Sequence, residues 1–213
     1  MTRAEVVAPP EEERSSLHYV VRELAVLVLT ALVIAVVVKT FVAQAFYIPS
    51  GSMEPQLRVN DRIVVSKVSY KLHDPRRGDI VVFDAPVGES GDDSPDDPPL
   101  PAKVMRTIVQ SIGLAPPSTD EYVKRVVALP GERVEGHDGK VLVDGRELVE
   151  PYLRDGTATS DFPAIVVPPR TVFVLGDNRA NSADSRIFGP VPESTVVGRA
   201  FARVWPIGQA SFL

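Results

Sequence analysis

Three stretches of the chain carry side chains able to perform acyl transfer. The first is Ile48-Pro49-Ser50-Gly51-Ser52-Met53-Glu54-Pro55, two serines flanking a glycine between two prolines. The prolines fix the backbone and resist helix, and Gly51 permits a tight approach. Such a turn can hold a hydroxyl out at the mouth of a sheet, although an ordinary polar turn has the same composition. A serine nucleophile needs a base. The three histidines do not suit: His18 lies beyond an apolar segment, and His73 and His137 sit in charged turns. No serine has a lysine three residues later, which excludes the penicillin-binding pattern. No two glycines are separated by one residue, which excludes dinucleotide and kinase phosphate loops.

The second stretch supplies a different base. Glu121-Tyr122-Val123-Lys124-Arg125-Val126-Val127 reads as a strand, whose alternation puts Lys124 on the face of Tyr122 and Val126 and turns Arg125 away. An ammonium on an apolar face is costly unless it deprotonates. From an ordinary lysine pKa of about 10.4, neutrality at pH 7 costs ~4.6 kcal/mol. Burial can remove most of that, and a neutral lysine can activate a serine. An exposed Lys124-Arg125 pair is the competing reading. The third stretch is Gly176-Asp177-Asn178-Arg179-Ala180-Asn181-Ser182-Ala183-Asp184-Ser185-Arg186. Ser182 could orient an amine, and Asp184 with Arg186 could form a bracing ion pair. A self-satisfied cluster of Asx and Ser turns accounts for the same residues.

The elements that must position these residues are mostly strands. Arg62–Ser66, Ile80–Phe83, Tyr122–Leu129, Thr171–Leu175 and Val197–Val204 are short Val- and Ile-rich runs between turn residues. Asp138-Gly139 and Asp144-Gly145 are hairpin signals and predict a small meander from about Arg133 to Leu148. Pro86–Pro101 holds five acidic residues among Pro, Gly and Ser, and reads as a solvated insertion. Val104, Met105, Ile108, Val109 and Ile112 follow at helical spacing and predict a short amphipathic helix.

The N-terminal part is different. Residues 1–23 are polar and are expected to form a disordered tail. Leu24–Tyr47 is 24 residues interrupted by Lys39, long enough for a bilayer span of about 20 residues with Lys39 snorkelling. Phe41, Phe46 and Tyr47 would then sit at the interface. A buried core helix would not need apolar residues on every face. A cleavable signal peptide, suggested by Ala43-Gln44-Ala45, would not place Lys39 in its apolar run. The expectation is a retained anchor, with the question of cleavage after Ala45 open. Arg3, Arg14 and Arg22 against Lys39 and Arg58 favour a cytoplasmic N-terminus and a single pass, with residues 48–213 outside.

The totals agree with one domain and an appendage: 213 residues, net charge −5 and no cysteine. An acidic chain does not suggest a nucleic-acid partner. Without cysteine there are neither disulfides nor thiolate metal sites, and no other metal-ligand spacing or cofactor motif is present. Twenty prolines and little helical patterning after residue 46 point to a β-rich body.

The three stretches, together with Arg77-Gly-Asp-Ile-Val-Val-Phe83, resemble bacterial type I signal peptidase, the membrane-anchored Ser/Lys protease of exported preproteins. They occur in that family's order after an N-terminal anchor. The resemblance implies a mainly β fold: an antiparallel catalytic domain behind a transmembrane helix, with a small β excursion at about 132–170. It also implies signal peptides and the lipid bilayer as partners, and neither metal nor cofactor. By resemblance Ser52 is the nucleophile and Lys124 the general base, and Ser50 with the Ser52 N–H forms the oxyanion hole. Ser182 positions the lysine, and Asp184 and Arg186 brace the site. Phe46, Ile48, Met53, Leu57, Ile63, Tyr122 and Val123 become pocket walls, or plain core. Two features depart from the pattern: Ala180 stands where an acidic residue is expected, and the 86–101 insertion has no counterpart. Three alternatives remain, one of them an inactive relative, against which all the dyad positions are filled. An SOS-repressor-type Ser/Lys autopeptidase would lack the apolar anchor, and an anchored binding domain would lose no activity when Ser52 is replaced.

Overall fold

The computed structural model describes residues 11–84 and 121–213, in two units, Met1–Phe41 and Val42–Leu213. The acidic insertion and the helix expected over 104–112 lie outside the described residues. The first unit contains one helix, α1 (Glu11–Phe41). It begins inside the stretch expected to be a disordered tail. Its His18–Val36 segment is 19 residues and long and apolar enough to cross a membrane. At 1.5 Å per residue it measures roughly 28 Å, close to the hydrocarbon thickness of a bilayer. Leu24, Leu27, Val28, Leu29 and Ile34 are all more than half exposed. Thr30 Oγ1 donates to the Val26 carbonyl at 2.8 Å, which satisfies the one polar side chain between Leu24 and Val36.

The helix stops at Phe41 rather than Tyr47. Ala43–Tyr47 is a strand, β1, paired antiparallel with β2 (Arg62–Ser66), with Phe46 opposite Ile63. Alternation then sends Phe46 into the core, where it is 6% exposed, instead of to a membrane interface. Tyr47 donates its hydroxyl to Asn60 Oδ1. In sequence, β1 therefore lies between the last helical residue, Phe41, and Ser52.

The second unit is built on an eight-stranded sheet. Its remaining strands are β3 (Ile80–Asp84), β4 (Glu121–Ala128), β9 (Thr171–Leu175), β10 (Val191–Pro192), β11 (Val196–Trp205) and β12 (Ser211–Phe212). The order is β1-β2-β11-β3-β4-β9-β10, with β12 on β11. A second sheet of order β7-β6-β5-β8 uses β5 (Arg133–His137), β6 (Lys140–Val143), β7 (Arg146–Glu147) and β8 (Phe162–Val166). Asp138 and Asp144 adopt left-handed backbones beside Gly139 and Gly145, as two-residue hairpin turns require. Among the described residues the unit also holds two short α-helices, α2 (Ser69–Leu72) and α3 (Ser185–Phe188).

β4 lies between β3 and β9, with Val81 opposite Lys124 and Val126 opposite Val174. Both faces of the sheet are covered, so the strand is buried on both sides from Lys124 onward. Met53, Leu57, Ile63 and Val65 form one core cluster with Phe46 and Ile48, beneath the Ser50–Pro55 turn.

Candidate active site

The segment from Ile48 to Asp61 is a closed loop. Ile48 N donates to Asp61 O at 2.9 Å, and Asn60 N donates back to Ile48 O at 3.0 Å. Asp61 is buried, accepts the Arg58 N–H at 2.9 Å and pairs with Arg203 at 3.4 Å, so the loop base is fixed by charge as well as by backbone. Within it, Glu54 N donates to Gly51 O and Leu57 N to Met53 O. Met53 and Leu57 are buried and anchor the turn from below, which leaves Ser50 exposed and Ser52 partly exposed.

Lys124 reaches this turn from β4 and is 3% exposed. Its Nζ donates to Ser52 Oγ at 2.8 Å and to the Val123 carbonyl at 3.1 Å, and lies 5.3 Å from the centre of the Tyr122 ring. The alternation expected for the strand holds, and the exposed basic pair does not occur: Arg125 is buried on the other face. Ser50 Oγ donates to Ser52 Oγ at 3.4 Å. No acceptor for the Ser52 backbone N–H is found among the described residues. A hydroxyl with an amine at hydrogen-bond distance and an unspent amide donor beside it can support nucleophilic attack on a carbonyl.

The 176–186 loop locks the turn in place. Asn178 N donates to Ser52 O, and Asn178 Nδ2 donates to Gly51 O, both at 3.0 Å. Asp184 is fully buried and accepts the Gly176 N–H at 3.0 Å. Arg186 forms two bonds to its carboxylate, each 2.8 Å, so the bracing ion pair is formed. Arg186 also donates to Arg179 O and to Ser160 Oγ. Ser182 behaves differently from its expected part. Its Oγ is buried without a hydrogen-bond partner among the described residues, because the lysine amine is directed at Ser52 and Val123.

A cavity of about 320 Å³ opens over the two reactive groups. Ile48, Met53, Tyr122 and Val123 line it, as the sequence suggests, with Pro49, Glu121, Asn181 and Ala183. Phe46, Leu57 and Ile63 do not. They pack in the core below, in the same buried cluster as Ile48 and Met53, and of these five only Ile48 and Met53 also line the cavity.

Sequence comparison decides the family. The family described as Signal peptidase, peptidase S26, matches residues 21–205. The chain belongs to the signal peptidase S26 family. A probable signal peptidase I-2 of Synechocystis is 40% identical over 191 residues, covering 90% of this chain and 76% of that protein. A signal peptidase I of Leptolyngbya laminosa is 40% identical over 84% of this chain and 77% of its own. The signal peptidase I of Mycobacterium tuberculosis is 37% identical over 93% and 77%.

This signal peptidase chain also carries a polar frame that sequence patterning did not disclose. Arg125 donates to both Asp177 oxygens at 2.8 and 2.7 Å and to Gly78 O at 2.8 Å, and its guanidinium lies 3.9 Å over the Tyr152 ring. Burial pushes the Asp177 carboxyl up, against the opposing pull of Arg125 and Arg179. Burial pulls the Arg179 guanidinium down, but Glu150 outweighs it and the net shift is upward. Arg179 pairs with Glu150 and also donates to Thr159 Oγ1 and Gly176 O. Asp177 and Asn178 stand in the third stretch, and the density of hydrogen-bonding side chains there was their only signal.

Gly176 is the tightest point. A Cβ there would overlap Ser182 Oγ and lie 2.6 Å from Ser182 Cβ and 2.5 Å from Ser52 O. Gly176→Ala must therefore shift the nucleophile loop. A displacement on the order of 1 Å costs about 100-fold in rate. The expected result is a fall in kcat of that order together with a lowered Tm, since such overpacking costs about 1–3 kcal/mol, measured by preprotein cleavage and thermal melting.

Proposed function

We propose that the chain is a membrane-bound serine endopeptidase that removes N-terminal signal peptides from exported preproteins. In this reading neutral Lys124 takes the Ser52 proton, and Ser52 attacks the carbonyl at the end of the signal peptide. The observation that carries it is the 2.8 Å contact between Lys124 Nζ and Ser52 Oγ at the floor of a cavity. With the lysine neutral, the same contact runs in reverse, from the Oγ–H to the nitrogen lone pair.

The oxyanion that forms is held by the Ser52 N–H and the Ser50 hydroxyl. The C–N bond then breaks, and the amine leaves with the proton held by Lys124. Water, deprotonated by Lys124, attacks the Ser52 ester and releases the signal peptide as a carboxylate. During the first step Lys124 is an ammonium with three donors. Val123 O accepts one, and in this proposal the unpartnered Ser182 Oγ turns to accept another. A buried hydroxyl without a partner costs about 1–3 kcal/mol, so the bond has a driving force.

An extended substrate places alternate side chains on one face. The first and third residues before the cut would face Ile48, Met53, Tyr122 and Val123, a shallow apolar surface that suits small side chains. The apolar helix fits membrane anchoring. A single pass with the N-terminus cytoplasmic and the peptidase unit extracytoplasmic follows the charge bias around it.

One oxyanion donor is typically worth ~3–4 kcal/mol. Ser50→Ala is expected to lower kcat about 100-fold or more, with KM little changed, in a purified preprotein cleavage assay. A rate within about twofold of wild type would remove Ser50 from the oxyanion hole.

A further inference from the structure

A second cavity, of about 390 Å³, lies beside the first and has no part in the reading above. The same two loops build both. The nucleophile turn contributes Met53 to the first cavity and Glu54 and Pro55 to the second. The 176–186 loop contributes Asn181 to the first and Asn178 to Ala180 to the second. The far wall of the second cavity is the 154–158 segment, which connects the strands of the smaller sheet. The division between the cavities is where Asn178 holds Gly51 O and Ser52 O.

We propose that this second cavity receives the residues that follow the scissile bond, and that the Glu54 carboxylate sets a charge preference there. The proposal rests on Ser52 being the nucleophile. If the acyl side of an extended peptide occupies the first cavity, the amine side must leave across Ser52. Successive residues advance about 3.3 Å each, so the next one or two reach the Glu54–Pro55 wall.

The charges of the second cavity support a preference. Asp177 and Arg179 are already paired, with Arg125 and Glu150, and Arg154 stands exposed on the 154–158 wall, across the cavity from the Glu54–Pro55 wall that the first residue after the cut reaches. Glu54 has no hydrogen bond or ion pair through its side chain among the described residues. Its Oε1 lies 3.2 Å from where a Gly51 Cβ would stand, so it rests against the turn that carries Ser52. A carboxylate so placed repels Asp or Glu just after the cut and attracts Lys or Arg, because like charges across an interface are disfavoured.

The test uses the full-length protein in detergent with preproteins that differ only in the first residue after the cut, Lys or Asp. Wild type is expected to cleave the Lys substrate with a kcat/KM about fivefold higher, a size suited to a partly exposed charge pair. Glu54→Gln is expected to bring the two within about twofold. Ala158→Lys, on the exposed opposite wall, is expected to lower the Lys-to-Asp ratio by adding the opposite charge. A ratio unchanged in both variants would overturn the subsite. A Ser52→Ala control separates the two claims. Cleavage that persists in it removes the nucleophile assignment, whereas cleavage abolished there with unchanged ratios removes the subsite alone.

Discussion

Lys124→Met is expected to lower preprotein cleavage by about 10³-fold or more, since a positioned base contributes 10²–10⁴ and its loss also leaves Ser52 unactivated. Methionine keeps the unbranched shape and most of the volume of lysine. The cavity side of β4 then stays filled, and the Tm is expected to remain near wild type. This separates a chemical role from a structural one. The pH dependence carries the same information. The reaction needs the neutral amine, so the rate falls as pH drops through the ionisation of Lys124. Lys124 is 3% exposed, and burial disfavours the charged form. The ascending limb of the wild-type profile should therefore have its midpoint below the ~10.4 of free lysine. A limb at that value, or a Lys124→Met enzyme of ordinary rate, would contradict the assignment.

Arg125→Met is expected to have the largest effect on stability. It leaves the Asp177 carboxylate, 2% exposed, without the two hydrogen bonds that compensate its burial. Breaking a buried pair from one side costs about 3–5 kcal/mol. For a unit of this size that corresponds to a Tm lower by roughly 10 °C. The double change Arg125→Met with Asp177→Leu is expected to recover much of the loss, because no buried charge is left unpaired. Differential scanning calorimetry of the three proteins checks this. Equal loss in the single and double variants would mean that packing over Tyr152, and not charge, holds the frame.

The sequence disclosed those parts of the molecule that local chemistry determines. Five strands were legible because β-branched residues alternate between turn formers, and the Asp-Gly pairs marked the hairpins of the smaller sheet. β1 was not legible. Ala43–Tyr47 continues the apolar run of α1 without a break, and composition alone cannot separate the last turn of a helix from a buried strand. β8, β10 and β12 were missed as well; the last two are only two residues long.

The site divided along the same line. Ser52, Lys124 and Asp184 with Arg186 come together in the structure because each stands at the end or middle of a well-marked strand or turn. The pocket walls could not be sorted. Phe46, Leu57 and Ile63 are chemically interchangeable with Ile48 and Met53, all five are buried in one cluster, and the path of the loop between β1 and β2 decides which of them reach the cavity. Arg125 was expected only to point away from Lys124. Its burial depends on Asp177, 52 positions later, which a pattern in one strand cannot reveal.

The central claim is that Ser52 carries the acyl group. The direct measurement is cleavage of a preprotein by purified full-length wild type and by Ser52→Ala, followed by gel and by mass of the products. The account predicts that wild type releases the signal peptide after a small residue and that Ser52→Ala, folded and with an unchanged Tm, releases none above background. Cleavage by Ser52→Ala at a rate comparable to wild type would contradict it.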